Sequence, residues 1–167
     1  MRLPARTLTA VALCAAVLAV SAWICVPSPV PFTLQSAAVC FAARLLGGKS
    51  VAAVGVYLAA GAVGAPVFAG GGSGFGVLTG PTGGFLWGFI LMAALIGLLR
   101  ERVPAWAGAA AGLAVCYLCG TAWFCAVSGG TPTAAILTCV LPYIIPDALG
   151  CALACTAARR VGREVLR

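Results

Sequence analysis

The sequence predicts an all-α integral membrane protein with six transmembrane helices and both termini in the cytoplasm. Three observations carry that expectation. Of 167 residues, 63% are hydrophobic and only 8% charged, too few charges to clothe a water-soluble domain. Apolar runs approaching the ~20 residues that cross a bilayer recur along the chain. The basic residues fall in four clusters, and the loops between them alternate with loops that hold none.

The apolar runs lie near 8–26, 32–46, 51–64, 83–99, 105–127 and 138–158, in one membrane domain covering 1–167. The second and third are short. They are joined by RLLGGKS and predict a tight helical hairpin shielded by its neighbours. The run at 8–26 follows Arg2 and Arg6 and precedes VSA near position 20. That pattern resembles a secretory signal, but the run is long for a signal core, so it is expected to remain as the first span.

Arg2 and Arg6 precede the first run. Arg44 and Lys49 separate the second and third, and Arg100 and Arg102 the fourth and fifth. Arg159, Arg160, Arg163 and Arg167 follow the sixth, which accounts for all ten basic residues. The loops near 27–31, 65–82 and 128–137 carry no Lys or Arg. The positive-inside rule then places the basic loops and both termini inside and the uncharged loops outside. The net charge of +7 reads as a topology signal and a surface for anionic lipid headgroups. Four separated clusters do not make a nucleic-acid footprint.

Several chemistries are excluded. The chain has no histidine, so a Ser-His-Asp triad is absent. Glu101 and Glu164 lie in basic clusters and Asp147 stands alone, so no carboxylates pair. GGKS at 47–50 resembles the end of a phosphate-binding loop, but the first motif glycine is replaced by Ala43 and no strand precedes it. From Gly74 the G-x-G-x-x pattern reaches Thr79 instead of glycine. Nine cysteines include Cys116 and Cys119 as C-x-x-C, but no second pair completes a metal set. They read as small apolar packing residues; Cys25, near the outer face, is the one placed to pair. No metal and no cofactor is expected, and no enzyme activity. A membrane-embedded cysteine enzyme is the competing class, and a structural scaffold a further one.

Two features point to ligand binding. Residues 67–85, VFAGGGSGFGVLTGPTGGF, contain eight glycines between apolar runs. Irregular backbone at membrane depth persists only where protein buries it or a cavity adjoins it, and glycine lets backbone approach a ligand closely. Phe68, Phe75, Val77, Leu78 and Phe85 predict that this loop folds onto something. Thr82 is placed to cap the helix that follows, whose free N–H groups suit a polar or anionic group. The second feature is Asp147, the one ionisable residue well inside a run, where burial costs about 2.5–3.5 kcal/mol. It lies twelve residues before Arg159, roughly 18 Å along a helix, in the outer half of the bilayer. Pro142 and Pro146 free backbone groups beside it; an Asp capping a helix that starts at 148 is the alternative. Thr33 and Gln35 add polar groups on the same side. The prediction is an outward-facing pocket with apolar and aromatic walls and a few fixed polar groups.

PVPFTLQ, GAVGAPVFAGGGSGFGVLTGPTGGFLWGF and PYIIPDALG, over roughly positions 10–160, resemble the BioY family. These are biotin-binding substrate-specific (S) components of energy-coupling factor (ECF) transporters. The resemblance implies the six-helix S-component fold, a biotin pocket near the outer surface, and residence in the bacterial cytoplasmic membrane. It implies a transmembrane coupling protein and two cytosolic ATPases as partners, with ATP hydrolysed by those partners. The substrate-site candidates become Thr33, Gln35, Phe68, Gly70, Gly71, Pro81, Thr82, Gly83, Gly84, Phe85, Tyr143 and Asp147. Small residues at four-residue spacing on the first helix, Ala12 with Ala16 and Ala15 with Ala19, are the expected partner contact. The chain departs from the family pattern at one place. Pro146 directly precedes Asp147, and Gly150 stands where the family has a ligand-facing lysine. The biotin carboxylate is then expected on the GPTGG backbone or on Thr33 and Gln35. Another small vitamin or a biotin precursor is the alternative ligand.

Overall fold

The computed structural model describes residues 4–26 and 31–165, with 163–165 as backbone alone. Arg2, Arg167, the Arg163 side chain and positions 27–30, all used in the charge argument, lie outside the described residues.

Helix α1 (Ala5–Trp23) leads into a two-residue antiparallel ribbon, β1 (Cys25–Val26) and β2 (Phe32–Thr33), with Cys25 opposite Thr33. Helices α2 (Gln35–Leu46) and α3 (Ser50–Ala62) follow, joined by a 3-10 turn at Gly47–Lys49. The glycine-rich stretch holds a 3-10 turn at Ala69–Gly71 and a short α-helix, α4 (Phe75–Thr79). Then come α5 (Gly83–Leu99), α6 (Ala105–Ser128), α7 (Pro132–Cys139) and α8 (Ile144–Val165).

Helices α2 and α3 fold back on each other. The Gln35 amide donates to the Tyr57 hydroxyl across 22 positions, which a straight helix would hold roughly 33 Å apart. The reversal occurs at Gly47, whose φ of +60° is disfavoured for any residue with a Cβ. Ser50 Oγ closes the turn on the Gly47 carbonyl at 2.7 Å. GGKS is therefore a helix-reversing turn here.

Length and composition qualify Ala5–Trp23, Gln35–Ala62 and Ala105–Ser128 as spans, and a fourth if α7 and α8, bent by 52°, count together. Two features separate this from six apolar runs. The 28-residue stretch Gln35–Ala62 is doubled over at Gly47, and α5, with 17 residues, sits at the lower edge of spanning length.

The last apolar run starts earlier than the expected 138. Thr131 accepts from the Ala134 N–H at 3.4 Å, and Pro132 occupies the first helical position, so helix begins there. The chain breaks at 140–143, where Pro142 supplies no N–H and disfavours helix in the residue before it. Pro146 sits in the first turn of α8, where no intrahelical donor is lost.

The core is built from Leu18, Val39, Val54, Tyr57, Met92 and Ile96, each at most 1% exposed. The outer surface is also apolar. Leu13, Val20, Trp106, Leu118 and Leu153 are all more than 60% exposed, a surface that suits hydrocarbon and not water. At the basic end the Arg44 guanidinium donates to the Arg100 carbonyl at 3.0 Å, and that of Arg100 to the Leu45 carbonyl at 3.1 Å. These bonds tie the end of α2 to the end of α5.

Candidate ligand-binding site

The starts of α2 and α5 mark the opposite end of the bundle, and a pocket opens there. The β1–β2 ribbon, the glycine-rich stretch, α6 and the α7–α8 break surround it. Its empty space is about 700 Å³ with the open mouth included. Phe32, Phe68, Phe85, Leu86, Phe89 and Tyr143 make its walls largely apolar and aromatic, with Phe32 and Tyr143 stacked at 5.8 Å.

Asp147 lies at the bottom, 8% exposed. Its backbone N–H already bonds the carbonyl of Tyr143, the residue before α8, at 2.9 Å, so it is not the cap of a helix beginning at 148. Its Oδ1 accepts from the Ser36 hydroxyl of α2. Its Oδ2 accepts from the Tyr117 hydroxyl of α6 at 2.6 Å. The one carboxylate therefore pins three helices together. Each oxygen keeps a further lone pair, so the group can still receive N–H donors from a ligand. Ser36 and Tyr117 both line the pocket. In sequence terms one is a serine beside a glutamine and the other an aromatic in an apolar run.

Gln35 and Thr33 form a second polar unit. Thr33 Oγ1 donates to Gln35 Oε1 at 2.9 Å, and the Gln35 amide donates to Tyr57. The hydroxyl proton of Thr33 is thus already engaged, which leaves Thr33 an acceptor and a poor partner for a ligand carboxylate. Tyr57 in turn packs edge-on to Phe68 at 5.6 Å and 83°.

Thr82 occupies the N-cap position of α5 but makes no side-chain cap, contrary to the expected cap. It lines the pocket, and no hydrogen bond among the described residues engages its hydroxyl.

Of the expected candidates, Thr33, Gln35, Phe68, Thr82, Phe85, Tyr143 and Asp147 line the pocket; Gly70, Gly71, Pro81, Gly83 and Gly84 do not. Gly83 and Gly84 are packing positions. A Cβ on Gly83 would meet the Leu78 carbonyl oxygen at 2.0 Å, and one on Gly84 the Trp123 Cβ at 2.1 Å. Gly70 and Gly71 have positive φ and open space around them; they turn the chain so that Phe68 points inward. Pro81 is exposed. Gly150 is also outside the lining, and a Cβ there would press on the Ala37 Cβ at 3.1 Å. In this chain position 150 is where α8 packs on α2.

Indole N–H groups hold the glycine-rich stretch in place. Trp23 donates to the Pro66 carbonyl at 2.8 Å, Trp87 to Leu78 at 3.2 Å and Trp123 to Gly80 at 3.0 Å. This clamp explains how so glycine-rich a segment presents Phe68, Val77 and Thr82 at defined places. Nothing in the local sequence signals it, because each indole comes from a different helix.

On α1, Ala12 and Ala16 are exposed, whereas Ala15 is buried and Ala19 packs against the core. The two expected pairs therefore face different ways. Cys25 is a free thiol like the other eight cysteines. Among the described residues no cluster of His, Cys, Asp or Glu could hold a metal.

Fold and site together define a helical membrane protein that receives a small molecule at one end of its bundle. The chain belongs to the BioY family, whose model matches residues 1–167. It is similar to the biotin transporter BioY of Thermotoga maritima, 50% identical over 111 residues, 63% of this chain and 66% of that one. The probable biotin transporter BioY of Pyrococcus horikoshii is 37% identical over 159 residues, covering 94% and 96%. A crystal structure of the S-component for biotin from an ECF-type ABC transporter superposes with a TM-score of 0.85, at 26% identity, covering 94% of this chain and 90% of that one. The relatives are named transporters, and the cysteine-enzyme reading is set aside. The chain is a multi-pass membrane protein.

Proposed function

We propose that this chain captures biotin and carries it across the bacterial cytoplasmic membrane as the S component of an ECF transporter. The single observation that carries the proposal is a mostly apolar pocket whose described lining bears one charge, Asp147, in a chain of the BioY family. The chain crosses six times with both termini inside, and the pocket opens outward. The ureido N–H groups of biotin donate to the lone pairs of Asp147 left free by Ser36 and Tyr117. The bicyclic ring packs among Phe68, Phe85 and Phe89. The valerate carboxylate takes the free hydroxyl of Thr82 at the start of α5. A transmembrane coupling protein packs on Ala12 and Ala16 of α1, and two cytosolic ATPases supply the energy.

The described lining holds no Lys or Arg. A pocket with no cation to read the tail discriminates less sharply against a biotin precursor, which is the second reading. Equilibrium binding of labelled biotin to the purified chain tests the proposal. Replacing Asp147 by Asn removes a charge-assisted acceptor, worth about 1.5–3 kcal/mol, so affinity falls about 10- to 150-fold. A folded wild type that binds no biotin, alone or with its coupling partner, sinks the assignment. A biotin amide that binds far worse than biotin shows that a cation reaches the tail after all.

A further inference from the structure

A second cavity lies away from the pocket, on the outer surface between α6 and α8. It is an open groove of about 800 Å³ with Ala109 and Ala110 on one wall, Ala148 and Ala152 on the other, and Leu113 at its inner end. Two features mark its other end. Trp106, 75% exposed, stands on the rim, as aromatic residues do at a membrane interface. Arg159 completes the lining there. Its side chain is exposed, and no ion pair or hydrogen bond among the described residues engages it. The Cys155 thiol lies against the Ala105 carbonyl at 3.9 Å, which fixes that register.

We propose that this groove binds one anionic phospholipid of the inner leaflet, with an acyl chain along the alanine trough and its phosphate on Arg159. The proposal rests on the membrane-spanning reading of the chain. Length selects this occupant. Ala105 to Leu113 runs about 12 Å along α6, and Ala148 to Arg159 about 16 Å along α8. Half of a ~30 Å hydrocarbon core is about 15 Å, the depth of one leaflet. A partner helix crossing the whole membrane would need twice that. Charge selects it too: an apolar trough ending in an unpaired guanidinium fits a tail bearing a phosphodiester.

The test titrates the full chain, delipidated in detergent, with palmitoyl-oleoyl phosphatidylglycerol or its phosphatidylcholine counterpart. Retained lipid is counted by native mass spectrometry. The wild type is expected to hold one phosphatidylglycerol in preference to phosphatidylcholine. In Arg159→Gln that preference weakens about fivefold, one basic residue's share of the attraction. Ala152→Phe fills the trough and loses both lipids, while Ala152→Ser keeps them. Size-exclusion profile and helicity establish that each variant is folded, and Ala110→Leu repeats the block from the other wall if Ala152→Phe is not. None of these residues lines the ligand pocket, so a failed biotin assignment leaves this test standing. Equal phosphatidylglycerol retention in wild type and folded Ala152→Phe overturns the proposal. So does a trough variant that keeps its lipid but loses a coupling protein or a second copy of the chain.

Discussion

Gly61 offers a way to move one wall of the pocket by a known amount. A Cβ at this position of α3 would lie 2.1 Å from Cζ of Phe68, and the Phe68 ring is 1% exposed. In Gly61→Ala the contact must open to about 3.4 Å, the ordinary carbon–carbon distance, so the ring retreats by about 1.3 Å. On its other side Phe68 borders the pocket. Overpacking of this kind costs about 1–3 kcal/mol in a closed core. Here the ligand-free chain has space for the displaced ring, so the cost falls on binding and not on folding. The expected result is biotin affinity about 5- to 150-fold weaker, with a melting temperature close to wild type. Adding Phe68→Leu to Gly61→Ala shortens the intruding side chain and recovers part of the affinity. Titration calorimetry and thermal unfolding on the same preparations measure both. A variant that binds normally but melts early would refute the reasoning, because the ring would then have moved into the core.

Three further expectations follow from the same contacts. Trp123→Phe removes the 3.0 Å bond to the Gly80 carbonyl and keeps most of the ring; at about 0.5–1.5 kcal/mol per neutral bond, biotin binding weakens about two- to tenfold, and unchanged affinity would mean that this bond does not hold the loop. Ala15→Leu overpacks a buried site and lowers the melting temperature, whereas Ala16→Leu, on the exposed face, preserves melting and biotin binding but reduces recovery of the coupling protein in a pull-down; the reverse pattern would put the partner elsewhere. The double substitution of Cys116 and Cys119 by alanine leaves biotin affinity within about twofold: Cys116 lines the pocket, but its thiol makes a single hydrogen bond among the described residues, a 3.7 Å contact to the Phe85 carbonyl, and such donors are weak; loss of transport with binding intact would reopen a redox role.

What the sequence could reveal divides along a physical line. Features set by composition over a window were readable: the apolar runs, the reversal at GGKS, and the gathering of FTLQ, the glycine stretch and PYIIPD at one end. Asp147 was readable because a charge in an apolar run is costly wherever it lies. Features set by which helix faces which were not. Tyr117 becomes a partner of Asp147 only because α6 and α8 adjoin at that height, and Ser36 only because α2 does. The glycines misled in an instructive way. They read as backbone open to a ligand, yet Gly83 and Gly84 serve close packing of α5 on α4 and α6. The side chains that reach the pocket are the ones between them. The break at 140–143 was visible as two prolines, but the helical turns before it depend on the Thr131 cap, a contact too short-ranged to show in hydropathy.

The indole clamp has an optical consequence. Of the four tryptophans in the chain, three donate to carbonyls of the one segment that borders the ligand, and the fourth stands far off on the lipid-facing rim. Any rearrangement of that segment lengthens or breaks bonds to the excited-state dipole of an indole. Intrinsic emission is thus a label-free reporter of loop movement, already installed at Trp23, Trp87 and Trp123, while Trp106 answers separately to the surrounding bilayer.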